Sequence, residues 1–148
     1  MSVDNDDRMM EVYRQMSQQQ EKYTYYIIAL CVSAIGFSVY CTLGKSLHWS
    51  QIPLGFAVFS WGISIFGGLK YIEVTFRIKF RNFQKLEIRA MEQAMNPGVY
   101  QLAKDKIDDS IELYSKKSNF LTAIQEYAFY FGVISFLIWH IFEMALVK

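Results

Sequence analysis

The sequence predicts an all-α membrane protein with three transmembrane helices and a long cytoplasmic αα-hairpin between the second and third. Three observations carry that fold class. First, Ile52 to Leu69 runs eighteen residues without a formal charge, near the lower end of what an α-helix needs to cross a hydrocarbon core of about 30 Å. Two further stretches match it: Tyr23 to Leu43 is uncharged for twenty-one residues, and Tyr127 to Val147 is broken only by His140 and Glu143. Second, the chain is 53% hydrophobic yet still 20% charged, so a polar part must exist beside the apolar rods. Third, the charges are uneven: of fifteen Lys and Arg residues, ten fall between Lys70 and Lys117. Three apolar segments in 148 residues leave too little polar chain to wrap them in water.

The same charge distribution sets the expected sidedness. Arg8, Arg14 and Lys22 precede the first span, Lys45 lies between spans one and two, and Lys148 follows the third. The positive-inside bias therefore places the N-terminus and the long second loop in the cytoplasm. A multi-pass protein of the cell inner membrane follows, with the C-terminus outside. The segments are 1–22, a cytoplasmic amphipathic helix; 23–43, span one; 44–51, an outer loop; 52–70, span two; 71–122, the cytoplasmic hairpin; and 123–147, span three. No cleavable leader is expected, because the first twenty-two residues are polar and acidic. Cys31 and Cys41 lie ten apart on one helix, too far along it to bridge each other, and read as small packing residues.

Taken in order, the chain opens on Ser2, Asp4, Asn5, Asp6 and Asp7, acceptors suited to a helix start. Met9, Tyr13 and Met16 form a short amphipathic face. No Gly or Pro separates this lead from span one, so one continuous helix from about Asp6 to Leu43 is expected. Tyr23, Tyr25 and Tyr26 make an aromatic belt at the inner interface. Gly44 closes the helix, Trp49 anchors the outer loop, and Pro53 sits in the first turn of span two, where a missing N–H is tolerated.

Span two holds the most informative spacing. Ser60, Ser64 and Gly68 lie four apart, small residues that let helix backbones approach where no hydrophobic effect drives them together. Gly62 and Gly67 add to the thinness, and Trp61, far from either interface, is expected to pack against protein. Two readings of this seam stay open. One is packing among the three helices of a single chain. The other is a homo-oligomer seam whose Ser60 and Ser64 hydroxyls face a narrow pore.

Past Lys70 two periods compete. Val74, Phe76, Ile78 and Phe80 alternate as in a strand; Ile72, Phe76, Phe80 and Phe83 repeat as in a helix. The absence of a turn residue and the helix formers past Phe83 favour helix. Lys70, Arg77, Arg81, Lys85 and Arg89 then gather opposite the phenylalanines, a face for lipid headgroups or an anion site for a nucleotide, an oligonucleotide or an acidic partner. Asn96-Pro97-Gly98 is the hairpin tip, with the return helix starting near Val99. Thr122 with Gln125 has the spacing of a capping box before span three. A lone hairpin buries little, so a symmetric homo-oligomer is expected to cover its apolar stripes. At the far end His140 and Glu143 share a helix face with Trp139 nearby, either as interface anchors or as a charged outer pore mouth.

Catalytic patterns are missing from the sequence: no nucleophile elbow, P-loop, HExxH or CxxC. No enzyme activity, cofactor or metal is expected. The expected partners are the lipid bilayer, further copies of the chain, and a cytoplasmic protein or nucleotide signal; duplex nucleic acid is not among them.

The join between span two and the hairpin, GGLKYIEVTFRIKFRNFQKLEIRAMEQAM, resembles the small helical membrane effectors of bacterial anti-phage systems, the SLATT-type family being nearest. The likeness covers about residues 9–95 and lies in layout: a helical lead, two spans joined by a short loop, and a second span running into a basic helix. The third span departs from the two-span pattern. The resemblance implies a membrane pore or disruptor held closed until a partner or nucleotide signal reaches its cytoplasmic part. A non-conducting membrane adaptor that docks a soluble partner on the hairpin is the alternative.

Overall fold

The computed structural model describes residues 3–44, 48–92 and 96–146, and these are helical apart from short connections. Helix α1 spans Val3–Thr42, α2 Ile52–Ala90 and α3 Pro97–Leu146. A short 3₁₀ turn, Trp49–Gln51, leads into α2. Each long helix contains a stretch long and apolar enough to cross a membrane. At 1.5 Å per residue α3 is roughly 75 Å long, more than twice a hydrocarbon core. Each helix therefore has an apolar part and a polar arm. The side chains of the acidic start, with Met9 and Tyr13, and residue Lys45 lie outside the described residues.

The competing strand pattern at 74–81 is resolved as helix, because Tyr71 and Val74 are buried on the same side of α2 as Ser64, Gly67 and Gly68. A strand would turn alternate residues away from that face. Two expected boundaries move. The return helix begins at Pro97, two residues before Val99, since the Asn96 side chain caps it: Gly98 N–H donates to Asn96 Oδ1 at 3.0 Å, and proline fits the first helical position. No capping box forms at Thr122 and Gln125. The helix runs straight through, and the Thr122 hydroxyl donates back to the Ser118 carbonyl at 3.2 Å. At the other turn, Gly44 adopts a left-handed φ of 78°, which ends α1.

α2 is the central rod. Of its most apolar stretch 39% is buried within the chain, against 22% for α1 and 17% for α3. The outward surfaces of α1 and α3 are left for lipid. α2 and α3 pack antiparallel in one unbroken register. Trp61 faces Gly132, Gly68 faces Gln125, and Lys85 pairs with Asp108; in every case the two residue numbers add to the same total. Residues at steps of three and four meet along the whole length, as when ridges of one helix fill grooves of another. α1 lies on this pair through Thr24, Ile27, Cys31 and Ser38, all buried.

The core is Ile27, Cys31, Ala57 and Trp61, with Phe129 and Phe136 packed on it. Phe136 bridges two indoles, with ring centroids 5.8 Å from Trp61 and 5.4 Å from Trp139. Trp139 is thus buried and is no interface anchor, whereas Trp49 is 83% exposed. Gly62 contributes nothing to the packing, because it faces outward with open space where a Cβ would stand; Gly67 does contribute, against the α3 backbone.

The Trp61–Gly132 fit makes a direct prediction. A Cβ at position 132 would stand 2.5 Å from Trp61 Nε1, inside any tolerable contact. Gly132→Ala is expected to lower stability by about 1–3 kcal/mol, the usual range for overpacking. Gly62→Ala is expected to be neutral or to stabilise by up to about 1 kcal/mol through helix propensity. Thermal unfolding of the detergent-purified variants, followed by helical circular dichroism, separates the two.

Candidate functional site

Two places on this frame concentrate polar chemistry. The first is the seam within the spans, where Ser60, Trp61, Ser64 and Gly68 of α2 are all buried between α1 and α3. Ser64, fully buried, donates its hydroxyl to the Gln125 carbonyl at 2.8 Å. The Gln125 side chain in turn donates from Nε2 to the Thr24 carbonyl of α1 at 3.3 Å. Gly68 makes this possible, since a Cβ there would lie 2.6 Å from that same nitrogen. One glutamine therefore ties three helices at one level, just inside the first charged residue of the arm, Lys70. Among the described residues the buried Trp61 and Trp139 indole N–H groups find no acceptor, a cost of about 1–3 kcal/mol for each such donor.

Sequence spacing marked Ser60, Trp61, Ser64 and Gly68 but missed Gln125 and Gly132. The signal for them was a seven-residue repeat on α3, Ser118, Gln125, Gly132 and Trp139, which keeps one helix stripe against a partner.

The second place is the basic face of the arm, which divides into four groups. Lys70 and Arg77 both hold Glu73, at 2.8 and 2.9 Å. Those two hydrogen bonds, Lys70 first, keep the Glu73 carboxyl below its ordinary range, and Glu73, then the Tyr114 hydroxyl, push the Arg77 guanidinium up. Arg81 donates to Gln84 at 2.9 Å. Lys85 crosses to α3 and bonds Asp108 at 2.5 Å. Arg89 makes no ion pair among the described residues. A second tie between helices, from Lys79 to Glu21, joins the arm of α1 to α2.

Lys85 and Arg89 also line a cavity of about 410 Å³ between α2 and α3 near the hairpin tip. Tyr100 and Lys104 close it from α3. Neither had been marked from sequence; the antiparallel register about Asn96–Pro97 sets Lys104 opposite Arg89, with Tyr100 a turn nearer the tip. Lys70, Arg77 and Arg81 do not reach this cavity. At the other end His140 is exposed, Glu143 is half-buried, and the His140 ring centroid is 6.4 Å from that of Trp139. No group of metal-binding side chains gathers among the described residues.

No protein-family model, no curated protein and no solved structure matches the chain.

The register can be checked by cross-linking. With Cys31 and Cys41 replaced by serine, cysteines placed at Lys85 and Asp108 are expected to oxidise within one chain. Cysteines at Arg81 and Asp108, one turn out of register, are expected to stay reduced. Mass spectrometry after alkylation counts the free thiols. A bridged dimer on a non-reducing gel would instead assign the pair to neighbouring copies.

Proposed function

We propose that this chain is an oligomeric bacterial inner-membrane protein, a pore-forming effector of anti-phage defence gated through its polar helical arms. The observation that carries the reading is where its buried polar groups lie. Among the described residues the buried polar side chains are Thr24, Ser38, Ser60, Ser64, Gln125 and Ser135, and all six belong to the spans. Polar groups inside a membrane are costly and tend to mark a path or a switch. Thr24 and Gln125 sit near the arms, Ser64 and Ser60 further in, and Ser135 and Ser38 toward the opposite end. These groups point into the bundle rather than at lipid. Trp61 fills the middle of that line and keeps it shut in this conformation. Parting of the three helices would open a hydroxyl-lined route, and several copies around one axis would widen it.

In this reading Ser60, Trp61, Ser64 and Gly68 are the seam that rearranges, and His140 and Glu143 stand at the outer mouth. The N-terminus and hairpin lie in the cytoplasm, where a signal reaches the arms. The sidedness is tested by cysteine labelling. A cysteine at Asn96 is expected to react only from the cytoplasmic face, the face that also exposes a tag at Met1. A tag and a label on opposite faces would overturn the topology.

Conduction is tested by expressing the chain in bacteria and following membrane potential with a voltage-sensitive dye. Trp61→Ala is expected to raise the basal leak, and Ser64→Leu, which fills the seam, to abolish depolarisation. A chain whose Trp61→Ala form leaves the potential intact is a non-conducting adaptor that docks a soluble partner on its arms.

A further inference from the structure

The α2–α3 register brings like charges together at the hairpin tip. Lys85 and Asp108 satisfy each other at one level. One turn nearer the tip the same register sets Arg89 against Lys104, and both line one cavity. Neither cation makes an ion pair among the described residues, and Glu92 is the one carboxylate in the lining. With Lys85 paired to Asp108, two cations face one carboxylate, so the lining is net positive and favours an anion. The remaining walls narrow the choice of anion. Tyr100 offers a ring, Ile88 and Ile107 an apolar floor, and Glu92 an acceptor for a hydroxyl or amine. The volume of about 410 Å³ falls at the lower end of small-molecule pockets, about 300–1,000 Å³.

The geometry points to a binding site for a mononucleotide at the hairpin tip, its phosphate between Arg89 and Lys104 and its base against Tyr100. Lipid headgroups do not reach it. Arg89 lies nineteen residues past Lys70 on one helix, roughly 28 Å along the axis. The ligand is therefore soluble. Glu92 faces the sugar or base edge, and Lys85, held by Asp108, borders the phosphate from the membrane side. The site stands on its own geometry. Regulation by its occupancy rests on the pore reading, whose failure would leave the binding intact.

Isothermal titration of the detergent-purified full chain tests it with AMP, ribose 5-phosphate, inorganic phosphate and adenosine. AMP is expected to bind at least tenfold more tightly than phosphate or adenosine. Arg89→Ala and Lys104→Ala should each weaken AMP at least tenfold, and Tyr100→Ala should weaken AMP while sparing ribose 5-phosphate. Lys104→Glu supplies a second readout, because it should abolish binding and raise the thermal midpoint of the unliganded protein. Circular dichroism checks that each variant is helical, and Lys104→Gln replaces any that is not. No binding of AMP at millimolar concentration would overturn the site. So would phosphate binding as tightly as AMP, or AMP binding undiminished in Arg89→Ala.

Discussion

The three helices are held at one level by Gln125. Its side-chain amide donates to α1 at Thr24, and its carbonyl accepts from α2 at Ser64. Gly68 leaves the space in which the side chain lies. A glutamine this close to a hydrocarbon core is stable only if its donors are used, so its position fixes where α1 and α2 can sit relative to α3. The bonds themselves are weak glue: hydrogen bonds between membrane helices average about 0.6 kcal/mol. Close packing must supply most of the hold. Gly67 lets α2 touch the α3 backbone, and Gly132 receives the Trp61 ring. The hydrogen bonds set the register, and the small residues make the close approach possible.

Much of this was legible in the sequence because a single dominant cost governs it. The three apolar rods and the Asn96-Pro97 tip follow from hydropathy and from proline, neither of which depends on tertiary partners. The helical state of 74–81 was less plain, since Phe76 and Phe80 fit both periods; the burial of Tyr71 and Val74 decided it. Gln125 was misread as a capping residue, because Thr122 and Gln125 have that spacing and polar residues commonly end a span. Only its neighbours across the bundle reveal it as a contact. Lys104 was invisible for a related reason. Its place is set by the register about the turn, and a charge on a polar arm carries no sign of what it faces.

The basic face of α2 shows how much a shared helix face conceals. Five cations lie on it, yet Lys70 and Arg77 serve one carboxylate on their own helix, Arg81 an amide, and Lys85 an aspartate on α3. The first three are local ties within one helix and contribute little to stability. Arg89 differs in having a cation across from it rather than an acid. What sets Arg89 apart is its place: it shares a cavity with Lys104, where the other four cations are met by groups already in contact with them.

The two polar places are joined by the same rods. α2 and α3 keep one register from the Trp61–Gly132 contact to the Lys85–Asp108 pair, with no Pro or Gly break in either arm between Gly68 and the tip turn. A helix pair of that length resists local bending, so a change in separation at Arg89 and Lys104 is not absorbed within a turn or two. In the proposed pore reading it would be passed along the rods toward Gly68 and Gln125, where three helices meet through two hydrogen bonds. Coupling of this kind requires an element with two arrangements rather than a mere path of contacts. At the seam, buried Ser64 and Gln125 have no water to turn to, so a second arrangement of the helices must offer them new partners within the bundle.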